Sequence, residues 1–207
     1  MVFLKQGADT VAVLLHEIYG INRFITGMSR KLYEWGLDVD CPDLSGGTVY
    51  PYALQEQAYA HFIRSGGFGR YKEVISRMEG LRREYAKIIL IGFSAGATIA
   101  WRCTESTLCD CMVGVYGSRI RDYTGVEPAC RSLLLFADQE ESFDVWKLEE
   151  DLRNKKNASI RVLTGRHGFM DPCSGNFDSK ASEKAMDMIR AFIRVSDENA
   201  VSEPHGL

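Results

Sequence analysis

Hydrophobic residues along this chain fall into two alternating patterns. Continuous runs such as Val11-Ala12-Val13-Leu14-Leu15, Ile88-Ile89-Leu90-Ile91 and Met112-Val113-Gly114-Val115 suit strands covered on both faces. Between them, apolar positions recur at helical spacing. In 22–35 they are Phe24, Ile25, Met28, Leu32 and Trp35, with Gly36 ending the pattern. In 71–85 they are Val74, Ile75, Met78, Leu81 and Tyr85. Further helices are predicted over 55–64, 143–154 (charged and solvent-facing) and 182–195. Further strands are predicted over 2–5, 37–41 (with alternation), 132–136 and 159–163. Residues 42–51 and 118–129 read as loop or irregular chain, and the polar tail 197–207 as frayed. Alternating strands and helices predict an α/β fold, a mostly parallel central sheet with helices on both faces, in one domain over 1–207. In such a sheet ligands bind outside the carboxyl ends of the strands.

The run from Lys87 to Ile91 ends in Gly92-Phe93-Ser94-Ala95-Gly96, and Ala97-Thr98-Ile99-Ala100-Trp101 follows at once. A buried strand, a Gly-x-Ser-x-Gly turn and a helix form the arrangement that lifts a serine hydroxyl above a sheet. Gly92 and Gly96 remove the Cβ atoms that such a turn cannot hold. Gly-x-Ser-x-Gly alone also fits an ordinary turn. The flanking strand and helix favour Ser94 as a nucleophile.

Composition narrows the field. The chain is 45% apolar and 26% charged with a net charge of -3, so nucleic acid is not an expected partner. No apolar run reaches the roughly 18 residues of a membrane span, and the start of the chain does not read as a signal peptide. Cysteines stand at positions 41, 103, 109, 111, 130 and 173. They read as reduced thiols of a cytoplasmic protein. Cys109-Asp110-Cys111 is too tight for a zinc pair, so no metal and no cofactor are expected.

A serine hydroxyl needs a base, and the base needs an orienting acid. His167 follows both Ser94 and a predicted strand, whereas His16 and His61 precede the serine and His205 lies in the tail. The acid belongs at the end of the strand between them. Asp138 closes Leu133-Leu134-Leu135-Phe136-Ala137 and is the expected residue, with Glu140, Glu141 and Asp144 as alternatives on the same loop. The N–H groups of Ala95 and Ile18 are the expected oxyanion donors. Glu17 then stands beside the reacting centre, either in a structural hydrogen bond or tuning the nucleophile.

His16-Glu17-Ile18-Tyr19-Gly20-Ile21-Asn22, Cys41-Pro42-Asp43-Leu44, Gly92-Phe93-Ser94-Ala95-Gly96, Asp138 and His167-Gly168-Phe169 together resemble the dienelactone hydrolase family of α/β-hydrolases. The resemblance covers nearly the whole chain. It implies the α/β-hydrolase fold, a Ser94–His167–Asp138 triad, and contact between Glu17 and the resting nucleophile. The best-known members of that family carry cysteine where Ser94 stands, and bind a substrate carboxylate through two arginines. Here Gln55 occupies one arginine position and Asp171 the other, while Tyr59 matches the family's tyrosine. Glu17, Gln55, Tyr59 and Phe93 are thus the residues expected to bind substrate or tune the nucleophile. A small uncharged ester or lactone is the expected substrate of a monomer or homodimer. The alternatives are a thioesterase or acyltransferase with the same residues, and a non-catalytic binding module.

Overall fold

The computed structural model describes residues 1–198, and the side chains of residues 1–194. Among the described residues, seven strands form one sheet: β1 (Val2–Leu4), β2 (Thr10–Leu15), β3 (Asp38–Cys41), β4 (Lys87–Phe93), β5 (Cys111–Val115), β6 (Arg131–Gln139) and β7 (Ala158–Arg166). Their order across the sheet is β1-β3-β2-β4-β5-β6-β7, antiparallel at β1 and parallel elsewhere. Among the described residues, five α-helices lie between strands, α1 (Arg23–Glu34), α2 (Gln55–Arg64), α3 (Tyr71–Leu81), α4 (Ala95–Cys103) and α5 (Val145–Leu152), and a sixth, α6 (Ser179–Glu198), follows β7.

The alternation of side chains along each strand divides the core in two. Val11, Val13, Leu15, Ile88 and Leu90 face α3, α4 and α5. Ala12, Leu14, Ile89, Ile91 and Phe93 face α1 and α6. Helix α1 has the expected apolar stripe, with Phe24, Ile25, Met28 and Leu32 buried, and the Asn22 side chain caps it by accepting from the Ile25 N–H. Helix α5 is less solvent-facing than expected, because Val145, Leu148 and Leu152 are buried.

Two differences from the sequence reading share one cause. Strand β3 was expected to alternate in burial, yet all four of its residues are buried. Its two carboxylates are both partnered. Asp38 accepts from the Gln6 N–H (2.8 Å), the Ala8 N–H (3.2 Å) and the Tyr85 hydroxyl (2.9 Å). Asp40 accepts from Nε and Nη2 along one edge of the Arg77 guanidinium. Buried carboxylates persist when hydrogen-bonded in this way. The Tyr85 bond also explains why α3 ends at Leu81 rather than at residue 85: the chain turns to bring the phenol to Asp38. At the far end, helix α6 carries the chain through Asp197 and Glu198, which belong to the segment expected to fray. The rest of that segment, 199–207, lies outside the described residues.

The centre of the sheet is where backbone approaches backbone most closely. A Cβ on Gly96 would stand 2.3 Å from the Leu15 carbonyl oxygen, and one on Gly92 would stand 2.3 Å from the Gly96 carbonyl oxygen. Neither neighbour is a side chain that can swing aside. Gly96→Ala should therefore cost upwards of about 4 kcal/mol, among the largest effects a single substitution has. Chemical denaturation of the variant, or its failure to accumulate as folded protein, checks this. A loss below about 1 kcal/mol would show that the turn can open.

Candidate active site

Strand β4 delivers Ser94 to the carboxyl edge of the sheet. Its backbone has φ 51 and ψ -113, a conformation that costs on the order of 1–3 kcal/mol for a residue with a side chain. The turn is fixed on both sides. The Ser94 N–H donates to the Val115 carbonyl (2.9 Å), and the Ser94 carbonyl accepts from the Thr98 N–H (3.2 Å). The hydroxyl is thereby pushed into a cavity of about 490 Å³.

His167 meets it there. The Ser94 Oγ lies 2.9 Å from His167 Nε2. His167 Nδ1 lies 3.0 Å and 3.1 Å from the two carboxylate oxygens of Glu140. The expected partner, Asp138, is not there: its Oδ1 accepts from the Gly165 N–H at 2.9 Å. The reason is the length and register of β6. The strand does not stop at Phe136 but runs to Gln139, where it pairs with Arg166 of β7 across a register shift. Glu140 and His167 are the next residues on the two strands, so they leave the sheet side by side. Asp138 falls within the irregularity and satisfies the backbone of β7. The Glu140 side chain is 1% exposed, so its charge acts on His167 with little screening by water.

Ala95 and Ile18 both line the cavity with Ser94, as do Glu17, Gln55 and Tyr59. Phe93 does not. Its ring packs edge-on against Phe24 at 4.9 Å between centroids, on the face of the sheet covered by α1 and α6. One residue before the serine, strand parity points it away from the site. Behind His167 stands Tyr116, with ring centroids 5.0 Å apart and another positive backbone φ, 41.

Glu17 is fully buried. Its carboxyl lies near His167, Asp171 and the Tyr116 hydroxyl, while the Ser94 Oγ is engaged by His167 rather than by Glu17. The Tyr116 hydroxyl points toward Glu17 but completes no hydrogen bond of good geometry. Burial pushes the Glu17 carboxyl up to about 7, against the opposing pull of a charged His167 and the Tyr116 hydroxyl. The sign for stability follows. Below pH 4.5 folded and unfolded chains both hold this proton. As pH rises from 4.5 through 7, the folded protein pays for keeping it, up to about 3 kcal/mol above pH 7. Glu17→Gln does not titrate. Its stability relative to wild type should therefore improve between pH 5 and pH 8 by a good part of that amount, as denaturant melts at the two pH values would show.

Other polar groups near the site are taken up in structure. His16, the other histidine at the sheet edge, is buried, and burial lowers its pKa. It donates from Nδ1 to the Glu17 carbonyl (2.6 Å), and its Nε2 accepts from the Leu44 N–H (2.8 Å). Asp171 accepts from the Tyr52 hydroxyl and from the Cys173 N–H (2.8 Å), and Tyr52 in turn accepts from the Asn22 side chain (3.0 Å). The Asp171 carboxylate is thus committed to the wall. Three arginines nevertheless reach the cavity from other segments: Arg119, Arg121 and Arg166. The expectation of an uncharged substrate rested on Gln55 and Asp171 alone, and these three arginines stand outside it.

The sheet order, the strained serine between β4 and α4, and the histidine after the last strand define an α/β-hydrolase. The comparisons place it more narrowly. The dienelactone hydrolase family matches residues 1–195, and the chain belongs to that family. It is similar to the uncharacterized protein YczH of Bacillus subtilis, 35% identical over 184 residues that span 87% of this chain and 90% of that one. It is also similar to carboxymethylenebutenolidase 1 of Cupriavidus pinatubonensis, 26% identical over 194 residues, 84% of this chain and 81% of that one. Among solved structures, it resembles a dienelactone hydrolase-like promiscuous phosphotriesterase from metagenomic libraries. That match has a TM-score of 0.73 and 17% identity, covering 91% of this chain and 87% of that one. It also resembles a cold-adapted esterase from an Arctic intertidal metagenomic library, with a TM-score of 0.65 and 14% identity, covering 90% and 84%. Among the described residues, no helix is long and apolar enough to cross a membrane.

Proposed function

We propose that this protein is a serine hydrolase that cleaves a small ester or lactone through an acyl-enzyme at Ser94. The observation that carries the proposal is the line from Ser94 Oγ to His167 Nε2 (2.9 Å) and from His167 Nδ1 to Glu140 (3.0 Å). His167 Nε2 takes the hydroxyl proton as Oγ attacks the carbonyl carbon. The N–H groups of Ala95 and Ile18 stabilise the resulting oxyanion. His167 then returns the proton to the leaving alkoxide. Water, deprotonated by the same ring, attacks the acyl carbon and frees Ser94. Glu140 accepts the Nδ1 hydrogen bond and stabilises the imidazolium.

The whole chain serves this chemistry as one α/β-hydrolase domain. Six free cysteines, five of them buried, suit the reducing cytoplasm in which we place it.

The base must be unprotonated to act. Burial lowers the His167 pKa, but its hydrogen bond and charge interaction with Glu140 outweigh this, and the net shift is upward from 6.5. The profile of kcat/KM should therefore rise with pH along an acid limb centred above 6.5. A rate that stays flat down to pH 5 on a p-nitrophenyl ester would remove His167 as the base.

A further inference from the structure

At the amino edge of the sheet, opposite the edge that carries Ser94, two thiols that hydrolysis does not use come together. Strands β5 and β6 run parallel with Cys111 beside Arg131, so the residues that lead into them are neighbours. Cys109 and Cys130 stand there. Their sulfurs are 3.4 Å apart and share a hydrogen bond. A disulfide holds its sulfurs about 2.0 Å apart, so a small side-chain rotation bridges the gap.

The backbone around the pair is already fixed. The Asp110 N–H donates to the Ile88 carbonyl (2.9 Å), and the Ala129 N–H donates to the Thr104 carbonyl (2.7 Å). The Ser132 hydroxyl donates to the Cys130 carbonyl (3.1 Å). Cys109 and Cys130 are buried, at 3% and 7% exposure, yet each adjoins an exposed residue, Asp110 and Ala129. The pair thus lies just beneath surface loops, within reach of a small oxidant. The two thiols are unequal. With the Cys109 S–H as donor, this hydrogen bond outweighs burial and sets the Cys130 thiol below its ordinary value. The same bond, together with burial, pushes the Cys109 thiol well up. Cys103 is engaged elsewhere: it donates to the Tyr71 carbonyl (3.5 Å), and burial pushes its thiol up to about 12.

We propose that Cys109 and Cys130 are a redox-sensitive pair that hydrogen peroxide closes into a disulfide, with Cys130 attacking and Cys109 resolving. The Cys130 thiolate attacks one peroxide oxygen, the O–O bond breaks, and the departing hydroxide takes back the thiol proton as water. The Cys109 sulfur then displaces the sulfenic oxygen of Cys130 as a second water, and the S–S bond forms. Peroxide gains the two electrons that the thiols lose. The reducing cytoplasm in which we place the protein keeps such a pair open until peroxide rises. The bridge joins residues 21 apart in sequence, and the segment between them carries β5, Tyr116 and the 3-10 turns Ser118–Tyr123. Closing that loop restrains the unfolded chain and so stabilises the fold.

The test exposes native wild-type protein to hydrogen peroxide, blocks the remaining thiols with iodoacetamide after unfolding, and maps the unreduced digest by mass spectrometry. The expected result is one linked pair of peptides, two hydrogens lighter than the free peptides together, with fragmentation placing the bond between Cys109 and Cys130. A dithiol reductant should undo it. The bridged protein should melt about 4 °C or more above the reduced one. Cys173 is exposed, so labelling uses a Cys173→Ser background. There Cys109→Ser should leave Cys130 as a sulfenic acid that dimedone labels, and Cys130→Ser should leave Cys109 unlabelled. Cys109 and Cys130 both still alkylated after peroxide has oxidised Cys173, or either one bonded to another cysteine instead, would overturn the pair. An unchanged melting temperature would overturn its stabilising role, and dimedone on Cys109 rather than Cys130 would overturn the order of attack. Should a serine variant fail to fold, mapping and melting of the wild type decide alone.

Discussion

Ser94→Ala is expected to lower kcat on a p-nitrophenyl ester by about 10⁴- to 10⁶-fold while leaving the protein folded. The scale is that of other serine triads, where removal of the nucleophile leaves only binding and oxyanion stabilisation. The fold should tolerate the change for a definite reason. The strained turn is held by main-chain bonds from Ser94 to Val115 and Thr98 and by the absence of Cβ atoms at Gly92 and Gly96, none of which involves the hydroxyl. His167→Ala should fall by a similar factor. The double variant should be scarcely worse than either single one, because residues acting as a unit do not add. A Ser94→Ala protein with more than a tenth of wild-type kcat would mean that the cavity does its work without this hydroxyl.

The second large effect separates two neighbouring acids. Glu140→Gln should lower kcat by about 10³- to 10⁴-fold, because an amide beside Nδ1 favours the wrong tautomer of His167 and cannot stabilise the imidazolium. It should also move the acid limb of the pH profile down, since the interaction with Glu140 is what raises His167. Asp138→Asn should stay within about tenfold of wild type, because an asparagine oxygen can still accept from the Gly165 N–H. A stability measurement on both variants distinguishes loss of chemistry from loss of fold. The reverse ranking, with Asp138→Asn the more damaging, would contradict the site geometry.

The difference between these two acids shows how far the sequence could be read. The serine turn was legible because it depends on local rules: a strand long enough to bury, two glycines, and a helix starting at once. The histidine was legible from chain order alone. The acid was not, because the choice between Asp138 and Glu140 depends on where β6 ends. Its apolar run stops at Ala137, but its pairing with β7 continues to Gln139 through a register shift that no residue type announces. Phe93 failed for a related reason. It was expected among the substrate-binding or tuning residues, whereas alternation along β4 places it on the opposite face with Ile89 and Ile91. Strand parity was available in the sequence and would have excluded it.

The cations of the cavity were the least visible feature. That Gln55 is an amide and Asp171 a carboxylate is written in the chain. Arg119 and Arg121 lie in a stretch with no periodicity, folded as 3-10 turns. Their approach to Tyr59 and Phe143 depends on tertiary contacts between segments 60 and 22 residues apart.

The central claim is that Ser94 is a nucleophile activated by His167. Covalent labelling with a fluorophosphonate, followed by peptide mapping in a mass spectrometer, tests it most directly. The reagent reacts with activated serine hydroxyls and leaves ordinary ones alone. One adduct per chain on the peptide containing Ser94, lost in both Ser94→Ala and His167→Ala, is the predicted result. A folded wild-type protein that takes no label, or takes it on a residue other than Ser94, would contradict the account.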